Sequence, residues 1–113
     1  MSEGSLIDNK LIDELRDLMG EDFIGELVDT YCEETPQLLV QLRLALAAGD
    51  AITFRRASHS IKSSSASLGA TGLAELAREL EALGKEERIS GSESALDYLE
   101  AEYQKVQQVL KAL

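Results

Sequence analysis

Along most of the chain, apolar residues recur every three or four positions, the spacing of helices that each bury one face. Leu11, Leu15 and Leu18 mark a short leading helix, capped by Asp8 or Asn9 and ended by Gly20. A helix this short is marginal alone, so it must dock on the rest of the chain. Glu21 to Ala48 carries two adjacent stripes. Phe23, Leu27, Tyr31, Leu38, Leu42 and Ala45 form one; Ile24, Val28, Cys32 and Leu39 form the other. Two stripes suit a long helix that faces a bundle core and also holds the leading helix. Pro36 lies within it, and a proline removes a backbone bond and clashes with the turn before it, so a kink or local break is expected near Glu34. Gly49 ends this element, and Asp50 caps a third helix from Ala51 to about Leu68, stopped by Gly69. Thr71 is expected to cap a fourth, Gly72 to Leu83, with Leu73, Leu76, Ala77, Leu80 and Leu83 facing inward. A polar connection over 84–91 leads to Ser92 or Ser94 as cap of the last helix. Its stripe is Leu96, Leu99, Tyr103, Val106, Leu110 and Leu113, whose alternating spacings of three and four make a helix-packing seam.

The pattern predicts an all-α protein: an antiparallel up-down four-helix bundle with a short additional N-terminal helix. Residues 1–7 are expected to be a flexible N-terminus and residues 8–113 a single domain, since 113 residues can enclose one core but hardly two. The starting Met1 and short polar beginning favour a free-standing protein over a domain of a longer kinase.

Charge narrows the function classes. The net charge of −10 argues against non-specific nucleic-acid binding and against attachment to an anionic membrane. Neither a secretory leader nor a membrane span is visible, so a cytoplasmic location is expected. Cys32, the one cysteine, reads as a small buried hydrophobe. It and the single histidine do not resemble a zinc site, and the chain has no glycine-rich phosphate loop. Neither a cofactor of its own nor a kinase activity is therefore expected.

That histidine, His59, is the residue with chemistry to offer. Each helical residue advances about 100°, which puts Ile61, Phe54, Ala57, Ser64, Ser65 and Leu68 on one side of the third helix. His59 falls near the centre of the other side, among Arg55, Arg56, Lys62, Ser63 and Ala66, with Ile52 two turns back. A basic setting and small neighbours leave the ring uncovered. No carboxylate stands at local spacing to complete a Ser-His-acid triad, and no nucleophile elbow is present. A neutral imidazole can instead accept a phosphoryl group from an acyl phosphate and return it, and Lys62, one turn along, can steady the added charge.

The run His59-Ser-Ile-Lys62-Ser-Ser64-Ser65-Ala66-Ser-Leu68-Gly69-Ala70 resembles the signature of histidine phosphotransfer (HPt) domains. Ala57-Ser58 before it, Leu73, Leu76 and Leu80 to Glu81 after it, the Glu-Glu-Thr-Pro run ending at Pro36 and the Ala-Gly-Asp ending at Asp50 also look like that family. The likeness extends from about Leu11 to Leu110. It implies a helical bundle in which His59 is phosphorylated on the ring nitrogen far from the backbone and Lys62 supports the phosphohistidine. It implies a stoichiometric phosphocarrier rather than an enzyme. Its partners would be receiver domains of a hybrid kinase or of response regulators in a two-component phosphorelay, with Mg2+ on the receiver.

Two positions depart from the family pattern. Ser63 stands where the family usually has glycine, beside His59, where its hydroxyl can bond the ring or crowd a partner. Glu81 stands where some members have a ring-orienting glutamine; a carboxylate there can fix the tautomer but repels a phosphoryl group that comes too close. Ile52, Arg55, Arg56, Ala66 and Ala70 form the expected docking face, and a monomer is expected because that face must stay free. Two alternatives remain: a bundle phosphorylated directly by a kinase catalytic domain, and a non-transferring adaptor that docks a receiver or another signalling partner.

Overall fold

The apolar periodicity resolves into five helices in this computed structural model, which describes residues 6–113. They are α1 (Asn9–Met19), α2 (Glu21–Ala48), α3 (Ala51–Ser67), α4 (Thr71–Lys85) and α5 (Glu93–Lys111). α2 packs on α3, α3 on α4, α4 on α5, and α5 returns to α2, so the four long helices close a ring around one core. Leu42, Phe54, Ile61, Leu73, Leu96, Leu99 and Val106 are fully enclosed there. Among the described residues no strand occurs, and no helix is long and apolar enough to cross a membrane.

The helix ends follow from local chemistry. The Asp8 side chain accepts from the backbone N–H groups of Lys10 and Leu11, and that of Asp50 accepts from Thr53. α3 stops at Gly69, whose φ of +77° allows Gly69 N–H to bond Ala66 O and Ala70 N–H to bond Ser65 O. α1 packs on α2, and the backbone N–H of Asp8 donates to Gly69 O at 2.8 Å, tying the leading helix to the α3–α4 turn.

Several expectations need correction. The first five residues of the expected flexible start lie outside the described residues, but Ile7 is part of the packed core at 3% exposure. In α1, Ile12 is the buried residue, and Leu18 is 80% exposed, within a run from Asp17 to Asp22 that is exposed throughout. α2 does not break at Pro36. Tyr31, Thr35 and Leu39 anchor it to the core on both sides of the proline, and Gln37 Nε2 donates to the Glu33 carbonyl one turn back. Thr71 is the first residue of α4 rather than its cap, and α4 runs through Gly84 to Lys85. Ser92 precedes α5 without a side-chain capping bond, and Leu113, beyond the helix end, is 44% exposed.

Candidate functional site

The α3–α4 contact is the most extensive in the bundle, and it builds the site. Small residues allow it. Ser58 and Ser65 of α3 are fully buried; Ser58 Oγ turns back to the Phe54 carbonyl, and Ser65 Oγ bonds the Tyr31 hydroxyl of α2 at 2.8 Å. On α4, Gly84 abuts Arg55: a Cβ at 84 would stand 2.8 Å from Arg55 Cβ and 2.9 Å from its Cα. Arg55 lies one turn before His59, and Gly84 lies one turn after Glu81. The close approach therefore holds Glu81 in register with His59.

His59 stands on the outer side of α3 with 58% of its side chain exposed. Glu81 is 6% exposed and divides its carboxylate between two partners. Oε2 is 2.8 Å from His59 Nδ1, and Oε1 is 2.7 Å from Lys62 Nζ. Burial alone pushes the Glu81 carboxyl up. The hydrogen bonds from Lys62 and His59, with the charge of Lys62, outweigh burial and hold it below the usual carboxylate range. An ionised carboxylate only accepts, so Nδ1 carries a proton and donates, and in the neutral ring the lone pair is left on Nε2. That tautomer makes Nε2 the nucleophilic nitrogen.

The expected site residues are partly assembled. His59, Lys62 and Glu81 meet in one network. Ser63 is exposed and makes no hydrogen bond to His59. Ile52 (63% exposed), Arg55, Arg56 and Ala66 share the open side of α3. Ala70 does not belong to a docking face: it is 0% exposed, because the chain turns inward there to start α4. A basin of about 580 Å³ beside the ring is lined by Arg55, Arg56, His59, Ser60, Glu81 and Lys85. The sequence reading missed Lys85 and Ser60. The signal for Lys85 was its position four residues after Glu81, on the same face of α4.

A four-helix bundle that exposes a histidine on one helix and braces it with a carboxylate from the next defines a class of signalling bundle. The Hpt domain family model matches residues 26–109, and the chain belongs to that family, the histidine phosphotransfer proteins of phosphorelays. The crystal structure of histidine-containing phosphotransfer protein B (HptB) from Pseudomonas aeruginosa PAO1 has the same fold, with a TM-score of 0.88 and 28% identity over 95% of this chain and 92% of that one. No curated protein sequence matches the chain significantly.

Proposed function

We propose that this protein is a stoichiometric phosphocarrier that relays a phosphoryl group between receiver-domain aspartates through His59. The observation that carries the reading is the Nδ1–Glu81 hydrogen bond, which presents the Nε2 lone pair to solvent. Nε2 attacks the phosphorus of a receiver's aspartyl phosphate. The N–P bond forms as the P–O bond to the aspartate breaks, and the aspartate leaves as carboxylate. The Nδ1 proton stays in its bond to Glu81, which balances the positive charge the ring gains. Lys62 neutralises Glu81, so the carboxylate does not repel the incoming group. The return reaction runs through the same atoms.

Ile52 and Ala66, about 21 Å apart along α3, set an exposed apolar side chain toward each end of a charged stretch of Arg55, Arg56 and His59, an arrangement suited to a transient receiver interface. The receiver would belong to a hybrid kinase or a response regulator and bring its own Mg2+. The carrier works in the cytoplasm as a monomer, with the His59 face free.

The test is phosphotransfer from a panel of phosphorylated receiver domains, with His59→Ala and Ser63→Gly alongside. Acid-labile, base-stable label on the wild type that disappears in His59→Ala is the expected result. A faster Ser63→Gly variant identifies the serine as a steric brake. Binding without any label, or an intact relay in cells carrying His59→Ala, sinks the carrier reading in favour of an adaptor. Label from an isolated kinase catalytic domain and from no receiver makes the bundle a direct kinase substrate.

A further inference from the structure

A phosphoryl group on Nε2 brings negative charge to a ring already bonded to a carboxylate, so cations must face it from another direction. The ammonium of Lys62 is held 2.7 Å from Glu81 Oε1, on the same carboxylate that bonds His59 Nδ1. Helical side chains lean toward the helix N-terminus, so the His59 ring extends over the turn that carries Arg55 and Arg56. The basin beside the ring opens on that side, and Arg55, Arg56 and Lys85 line it. The Gly84 approach brings Lys85 of α4 next to Arg55 of α3. Among the described residues none of these three cations forms an ion pair, although the chain has 21 carboxylate side chains to 11 Lys and Arg. Three cations in one hollow, none closed into an ion pair although the charge of Arg56, after the Thr53 hydrogen bonds, helps hold the Asp50 carboxyl low, make a site for an anion.

We infer that Arg55, Arg56 and Lys85 form an oxyanion site for the phosphoryl group on His59, and that Lys62 acts through Glu81 as a positioning residue. The inference rests on His59 being the phosphoacceptor. Arginine forks suit phosphoryl oxygens, and Lys85 adds a point charge at the α4 edge. Ser60 lines the same basin and carries a hydroxyl, a neutral donor.

The experiment uses phosphoramidate, a small phosphoryl donor, so that contacts with a receiver play no part. The intact chain is phosphorylated, and the 31P resonance of its phosphohistidine is followed against pH. Wild type is compared with a triple Arg55→Gln, Arg56→Gln, Lys85→Gln variant and with Lys62→Gln, each shown folded by circular dichroism. Cations around the phosphoryl group favour its dianion. Each charge removed should strengthen proton binding to the phosphoryl by about two- to five-fold, the range of exposed ion pairs. The triple variant should therefore shift by about tenfold or more, and Lys62→Gln by less. A Lys62→Gln shift larger than that of the triple variant, or no shift in the triple variant, overturns the oxyanion site and leaves His59 as acceptor. Label that persists in His59→Ala overturns the acceptor reading, and this inference with it.

Discussion

Gly84 of α4 lies so near the backbone of Arg55 of α3 that a Cβ there would meet Arg55 Cβ at 2.8 Å, Cα at 2.9 Å and N at 3.0 Å. A glycine inside a helix costs about 1 kcal/mol relative to alanine. Here it allows two helix backbones to approach one turn from the His59–Glu81 bond, and it thereby sets the geometry of the site.

Gly84→Ala should destabilise the protein despite its better helix propensity. Overpacking costs about 1–3 kcal/mol, and the atoms in the way are backbone and Cβ rather than a flexible side-chain tip. Urea unfolding should show a lower midpoint, and phosphorylation at His59 should slow as Glu81 shifts away. An unchanged midpoint would mean that the helices separate at no cost.

Glu87→Gly should have the opposite sign. Glu87 has a φ of +56° and ends α4 by donating its N–H to Gly84 O at 3.1 Å, while Arg88 N–H bonds Leu83 O at 2.9 Å. That is a glycine's conformation held by a glutamate. Relieving it should add about 1 kcal/mol, read as a rise in thermal midpoint. A fall would show that the Glu87 side chain contributes more than the backbone strain costs.

Acid should weaken the fold through Glu81. Its carboxyl binds a proton less readily in the folded chain than in the unfolded one, so its contribution to stability is complete above the unfolded carboxyl's titration. The contribution is lost as pH falls through the lower, folded-state titration. In Glu81→Gln, stability measured by urea unfolding should fall less steeply across the acid range. The variant should also be less stable at neutral pH, where Lys62 has lost its partner. An acid slope identical to wild type would place the sensitivity elsewhere.

Lys62→Met keeps the side-chain stem and removes the ammonium. Glu81, 8% exposed at its side chain, would then hold only the His59 bond. Leaving a buried carboxylate short of a donor costs about 1–3 kcal/mol, and burial, no longer outweighed by the lysine, should push its carboxyl up. Carbon-detected NMR of the Glu81 carboxyl against pH reads that direction. A carboxyl that does not rise would show that His59 alone holds the charge.

How much of this was legible beforehand depended on which interactions lie along one helix. The sequence by itself determined the five helices, most of the core and the outward position of His59. Apolar residues at helical spacing report each helix's buried face, and His59 lies opposite Ile61 by rotation alone. The caps at Asp8 and Asp50 and the turn at Gly69 were readable for the same reason, because their chemistry is local. Position on a wheel did not reveal that Ala70 is buried at a chain reversal, that Gly84 is a contact rather than a stop, or that Lys62 and His59 share one carboxylate. Spacing along a helix fixes direction about its own axis. The axial register and distance between two helices are set by how their side chains and bare backbones pack, and only the tertiary structure decided those for Glu81, Lys62 and His59.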